Sequence, residues 1–223
     1  MTAIEKPSSR AAKAAAIKGL YCITAEEYSR GRDNLTVVRE MLQAGAKIVQ
    51  YREKDLQMLR QYRQCVEIRK MTAEAGALFI VDDHVDLALA VKADGVHIGQ
   101  TDLPIEKARE LVGDDMLVGL STHSPAQARD AALRGADYIG VGPLFETHTK
   151  KDVCAPVGLE YLDYVVEHIK LPFVALGGVK LANIDSVLAH GAASVALVTE
   201  IVGADDIGWM VMEVISRFAA ARK

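Results

Sequence analysis

The chain has 223 residues, 50% of them hydrophobic and 25% charged, and a formal net charge of −4. That balance describes one soluble globular domain with a full core, and it excludes a general nucleic-acid binder, which needs a basic surface. No run of about 18 apolar residues is present to span a membrane, and Cys22, Cys65 and Cys154, odd in number and without a CxxC pair, fit a reducing cytoplasm and give no zinc site.

Residues 1–10 include Pro7, Ser8 and Ser9 and little to bury, so disorder is expected there. Residues 11–17 are alanine-rich but interrupted by Lys13 and closed by Lys18, which suits a short helix and not a signal peptide. Residues 1–17 thus read as an N-terminal extension. A first strand follows at 19–24. Asn34 stands where it can cap a helix over 35–44, which Gly45 ends. A second strand, 47–50, runs into Tyr51-Arg52-Glu53-Lys54-Asp55 and a helix over 56–75, stopped by Gly76. The third strand, 78–81, ends in Asp82-Asp83-His84, and Val85, Leu87, Leu89 and Val91 give the next helix its core face.

The fourth strand, 95–98, opens into Gly99-Gln100-Thr101-Asp102, and Pro104 suits the first turn of a helix reaching 111. The fifth, 117–120, leads to Ser121-Thr122-His123-Ser124; Ser124 is a good cap with Pro125 at the first helical position. The sixth, 138–141, gives way to a loop of hydroxyls and cations, Thr147, Thr149, Lys150 and Lys151. Such donors suit a phosphate or pyrophosphate. A helix over 159–169, a strand at 173–176 opening into Gly177-Gly178-Val179, a helix over 184–189, a strand at 194–197 opening into Val198-Thr199-Glu200 and a helix over 207–221 complete the chain.

The chain repeats itself. Alanines 46, 93, 136 and 192 each sit between a helix end and a strand, and each interval holds one further strand. The spacing is about 25 residues per strand and helix, close to the roughly 30 of a (β/α)8 barrel. With the first strand the count is eight, and the α/β reading is a single TIM barrel over residues 18–223 with no interdomain linker.

Active sites of such barrels lie in the loops after the strands' C-terminal ends. Those loops supply Arg52 and Lys54; Asp82 and Asp83; Asp102; Ser121; Thr147, Thr149 and Lys150; Gly178; and Thr199. Carboxylates beside cations suggest a hard divalent ion such as Mg²⁺ bridging to phosphate oxygens. Gly177-Gly178 permits close backbone approach to a phosphate. Asp83 and Asp102 also stand where a plain helix cap would, and His97 reads as a satisfied core histidine.

The segments Gln50-Tyr51-Arg52-Glu53-Lys54, Asp82-Asp83, Gly95 to Asp102, Ser121-Thr122-His123-Ser124, Gly142-Pro143 through Thr147 to Asp152, and Gly177-Gly178-Val179 resemble, in order, the thiamine phosphate synthase (thiamine-phosphate pyrophosphorylase) family. The likeness runs from about residue 20 to the last helix. It implies a transferase that joins 4-amino-2-methyl-5-hydroxymethylpyrimidine pyrophosphate to a thiazole phosphate, plain or carboxylated, giving thiamine phosphate and pyrophosphate. It further implies that pyrophosphate leaves before the thiazole nitrogen arrives, so the protein must neutralise leaving charge and align two fragments.

By that resemblance Arg52, Lys54 and Lys150 bind pyrophosphate with Ser121 as a further donor, Asp83 and Asp102 hold Mg²⁺, and Gln50 orients the pyrimidine. Thr147, Thr149, Gly178, Thr199 and the backbone of Val198 hold the thiazole phosphate. The chain departs from the family pattern at Tyr51, where leucine is common, and at Asp82, where asparagine is usual. A second carboxylate beside Asp83 and near a pyrophosphate is unfavourable as a bare anion, so Asp82 is expected to join Asp83 at the metal, directly or through water, or otherwise to keep a proton and meet the substrate as the neutral hydrogen-bonding group that asparagine supplies. A thiazole tautomerase of the same barrel family, which can use a histidine at the position of His123, and a non-catalytic phosphate-binding barrel are the competing readings. The partners expected are these small molecules, with no nucleic acid and no membrane. A homodimer stays open, because all eight outer helices look amphipathic and none stands out as an interface.

Overall fold

The computed structural model describes residues 7–147, 149 and 154–221. Strands β1 (Gly19–Ile23), β2 (Ile48–Tyr51), β3 (Leu78–Asp82), β4 (Gly95–Ile98), β5 (Leu117–Thr122), β6 (Tyr138–Val141), β7 (Phe173–Ala175) and β8 (Ser194–Leu197) pair in parallel in chain order, and β8 closes on β1. Around them lie α2 (Asn34–Gln43), α3 (Met58–Glu74), α4 (Val85–Ala90), α5 (Ile105–Val112), α6 (Pro125–Leu133), α7 (Gly158–His168), α8 (Ile184–Ala189) and α10 (Ile207–Ala221); α1 (Arg10–Ala15) precedes the barrel and α9 (Thr199–Val202) is a single turn after β8. The expected single α/β barrel is present. Among the described residues no helix is long and apolar enough to cross a membrane.

Period-two alternation divides the strand residues between two cores. Val49, Tyr51, Phe79 and Val81 face the helices, whereas Tyr21, Ile23, Ile48, Leu78, Ile80, Leu117, Tyr138 and Ala196 fill the barrel. The recurring junction before each strand has a physical reason as well. Asp94 before β4 and Asp137 before β6 each accept a bond from the N–H of the second residue of the preceding strand, Phe79 at 2.9 Å and Val118 at 2.8 Å.

Three details differ from the sequence reading. Asp33, not Asn34, caps α2 by accepting from the Thr36 N–H at 2.8 Å. Asn34 is buried and turns its amide to Glu53 and Gln64. The turn α9, too short for its periodicity to register, places Thr199 at its first position. Residues 1–6 lie outside the described residues, but Ser9 caps α1 and Arg10 begins it, so order starts earlier than expected. This helix closes the bottom of the barrel: Ala14, Ala16 and Ile17 pack into the interior cluster, and Lys13 Nζ donates to the Asp115 carbonyl at 2.9 Å.

Candidate active site

The inward face of each strand continues upward into the mouth. On β2 the inward positions Ile48 and Gln50 are followed by Arg52; on β3 Leu78 and Ile80 are followed by Asp82; on β5 Leu117 and Gly119 are followed by Ser121. Side-chain period therefore delivers a cation, a carboxylate and a hydroxyl to one opening. Arg52 Nε lies 3.6 Å from Asp82 Oδ2, and Lys54 Nζ lies 3.4 Å from the same oxygen while pairing closely with Asp83. The Asp82 side chain is 11% exposed and Lys54's 39%, so the cluster runs from inside the mouth out to solvent.

The loop carrying these cations is braced from below. Arg52 N–H donates to Thr24 Oγ1 at 2.9 Å. Glu53 turns away from the mouth, its Oε1 accepting from Glu26 N–H and Asn34 Nδ2, both at 2.9 Å. Burial pushes the Glu53 carboxyl above the usual carboxylate range, against those two donors.

Asp83 sits at the exit of β3 with φ of 58°, a left-handed conformation in which its own N–H reaches the His97 carbonyl at 2.8 Å. Asp102 folds back so that Oδ2 accepts from Gly99 N–H at 2.6 Å. Both carboxylates thus stand on the paired exits of β3 and β4. Among the described residues no group of three or more metal-ligating side chains stands together. The donor set fits Mg²⁺ arriving with a polyphosphate, since that ion is commonly held by one or two carboxylates plus substrate oxygens.

On the opposite rim, the loops after β6 and β7 are knitted together. Leu144 N–H donates to the Leu176 carbonyl at 2.9 Å and Phe145 N–H to the Gly177 carbonyl at 3.0 Å. Gly178 has φ of 67°, and a Cβ there would meet the Glu146 carbonyl oxygen at 2.5 Å. This glycine is therefore required by loop-on-loop packing. Thr147 and Thr149 share a hydroxyl–hydroxyl bond of 3.2 Å. Glu200 Oε2 accepts from Leu181 N–H at 3.1 Å, tying the loop after β7 to α9 and its Thr199.

The sequence profile of the thiamine monophosphate synthase family matches residues 20–201. The chain belongs to that family. It is 64% identical over 188 residues to the thiamine-phosphate synthase of Pelotomaculum thermopropionicum, covering 84% of this chain and 86% of that one. It is 54% identical over 194 residues to the thiamine-phosphate synthase of Lawsonia intracellularis, covering 87% and 89%. Among solved structures, thiamine phosphate pyrophosphorylase from Pyrococcus furiosus superposes with a TM-score of 0.84 at 36% identity, over 92% of this chain and 97% of that one.

Of the residues expected to form this family member's site, Arg52, Lys54, Asp82 and Asp83 are in direct contact, and Gln50 and Ser121 line the same interior. Asp102 stands in the loop after β4, bonded to Gly99 N–H, while Thr147, Thr149, Gly178, Val198 and Thr199 lie in the loops after β6, β7 and β8. Lys150 lies outside the described residues. Asp82 pairs with Arg52 and Lys54, a partnership that neither expected role, metal ligand or protonated hydrogen-bonding group, includes. His123 is held by the Gly142 carbonyl, 2.6 Å from Nδ1.

Sequence reasoning missed two interior residues. From the sequence Tyr21 and Tyr138 read only as strand formers, yet their hydroxyls lie 3.0 Å apart inside the barrel. Gln50 Nε2 donates to Tyr21 at 3.1 Å, and His97 lies 3.1 Å from Tyr138 and 2.9 Å from Ser121. The available signal was their parity: each sits at an inward position, where a hydroxyl needs a partner.

Proposed function

We propose that the chain joins 4-amino-2-methyl-5-hydroxymethylpyrimidine pyrophosphate to 4-methyl-5-(2-phosphoethyl)thiazole, forming thiamine phosphate and pyrophosphate. The observation that carries this reading is the placing of Arg52 and Lys54 against Asp82 and Asp83 at one mouth, with two bonded hydroxyls, Thr147 and Thr149, on the other rim. One pole, with its cations and carboxylates, suits a polyanionic pyrophosphate leaving group, the other a single phosphate.

In the reaction the bond from the pyrimidine methylene carbon to the pyrophosphate oxygen breaks, and its electron pair leaves with pyrophosphate. The thiazole nitrogen lone pair then forms the new carbon–nitrogen bond. Arg52 and Lys54, with Lys150, meet charge that grows as the first bond breaks, so their interaction is stronger in the transition state than before it. Ser121 adds a neutral donor. Gln50 orients the pyrimidine, and Thr147, Thr149, Gly178, Thr199 and the Val198 backbone fix the thiazole phosphate so that its nitrogen faces the methylene carbon. Asp83 and Asp102 would hold Mg²⁺, which when bound supplies further neutralisation of the pyrophosphate. No nucleophilic side chain is needed.

Incubating the purified chain with both substrates and Mg²⁺ is expected to yield thiamine phosphate and pyrophosphate in equal amounts, and excess chelator is expected to stop it. Conversion of the thiazole alone would replace this reading by the tautomerase.

A further inference from the structure

Five side chains cross the barrel interior in one unbroken hydrogen-bonded line. It runs from Gln50 to Tyr21 (3.1 Å), to Tyr138 (3.0 Å), to His97 Nδ1 (3.1 Å) and, from His97 Nε2, to Ser121 Oγ (2.9 Å). The first four residues are almost wholly buried: Gln50 is 4% exposed, Tyr21 2%, Tyr138 0% and His97 7%. The barrel is shaped to admit them. A Cβ on Gly119 would lie 2.2 Å from Tyr138 Cζ and 2.5 Å from His97 Nδ1, so these two rings occupy the space that a side chain on β5 would fill.

Hydrogen-bond stoichiometry then fixes direction. A buried phenol that accepts from one neighbour leaves its single proton unpaired unless it gives it to the next. Gln50 Nε2 donates to Tyr21, so Tyr21 donates to Tyr138, and Tyr138 donates to His97 Nδ1. The imidazole proton is thereby placed on Nε2, where it is given to Ser121 Oγ. The Ser121 hydroxyl proton is left to point elsewhere. The reverse polarity would take that proton back into the chain and present oxygen lone pairs at the mouth, a poor surface for an anion. Burial pushes both phenols well above their ordinary range, so both stay protonated.

We propose that this one-directional chain makes Ser121 an obligate donor toward the anion site, with His97 and Tyr138 as positioning residues that act through it. The proposal rests on the reading that Ser121 meets pyrophosphate. Two measurements test it. Nitrogen-15 spectra of the histidine-labelled chain at about pH 8, with His97→Asn to assign the signal, are expected to show His97 in the Nε2–H form. The Nδ1–H form would overturn the proposal regardless of activity.

Calorimetric binding of inorganic pyrophosphate with Mg²⁺ to Ser121→Ala, Tyr138→Phe and the double variant gives a cycle. Tyr138→Phe keeps the ring and is expected to weaken binding several-fold, and Ser121→Ala by about tenfold. The double variant should bind no more weakly than Ser121→Ala alone, because Tyr138 acts only through that hydroxyl. Fully additive losses, or an unchanged Tyr138→Phe, would make the chain mere packing and overturn the proposal. Tyr21→Phe breaks the line one bond further back and serves if Tyr138→Phe does not fold. Should the unaltered chain bind no pyrophosphate, the site reading fails, while the tautomer still decides the direction of the chain.

Discussion

Lys54 stands between two carboxylates, and that position decides what each carboxylate is for. Asp82 Oδ2 is shared by Arg52 and Lys54, so its charge is balanced without a metal. Among the described residues Asp83 forms its ion pair with Lys54, and its left-handed backbone binds the His97 carbonyl at the end of β4, the strand whose following loop carries Asp102. On the proposed function, a pyrophosphate entering the mouth would compete with Asp82 for the same two cations. Asp82→Asn is therefore expected to leave the Mg²⁺ titration in place and to tighten product inhibition by pyrophosphate about three- to tenfold, the scale of one partly screened charge pair. A raised Mg²⁺ requirement would return Asp82 to the metal. Asp83→Asn is expected to lose most activity and to recover part of it at high Mg²⁺, measured as kcat against ion concentration.

Among the elements, α1 and the loops of the far rim carry separate burdens. The helix α1 and the residues after it cap the barrel's lower opening, with Lys13 bonded to the Asp115 carbonyl and Ile17 3% exposed. Removing residues 1–17 exposes the interior cluster, and burial of one such side chain is worth about 1.5–3 kcal/mol. The truncated chain is expected to melt several degrees lower, with the KM values of any surviving fold unchanged. In Gly178→Ala the added methyl meets the Glu146 carbonyl oxygen and the Phe145 Cβ at 2.5 and 2.8 Å, at a positive φ. Moving the β7 loop off the β6 loop should raise the KM for the thiazole phosphate at least tenfold while sparing that for the pyrimidine pyrophosphate. Equal losses on both substrates would mean that the whole mouth had shifted. The strands and most helices were legible because Gly45, Gly135 and Gly191 end helices in left-handed backbone and the strands are short apolar runs. Asn34 suits a cap in isolation, but tertiary demand from the half-buried Glu53 claims its side chain.

At the scale of the whole molecule, barrel closure converts residues scattered over some 150 positions into two poles of one opening. The rim residues could be enumerated from the sequence, since a strand's end names its loop. Their pairing could not, because whether Asp82 meets an ion or Arg52 depends on the stagger between β2 and β3, where Gln50 registers with Ile80. The interior line of Tyr21, Tyr138 and His97 was hidden for the same reason: three separate strands supply it.

The central claim is that the pole at β2 and β3 receives the leaving pyrophosphate. Its most direct test is the kcat/KM of Arg52→Ala for the pyrimidine pyrophosphate at saturating thiazole phosphate. Loss of one preorganised donor toward developing charge is worth about 2.7–4 kcal/mol, so a fall of at least about 100-fold is expected, with the thiazole phosphate KM changed less than about threefold. An unchanged kcat/KM for the pyrimidine pyrophosphate, or a loss confined to the thiazole phosphate, would place the leaving group elsewhere and contradict the account.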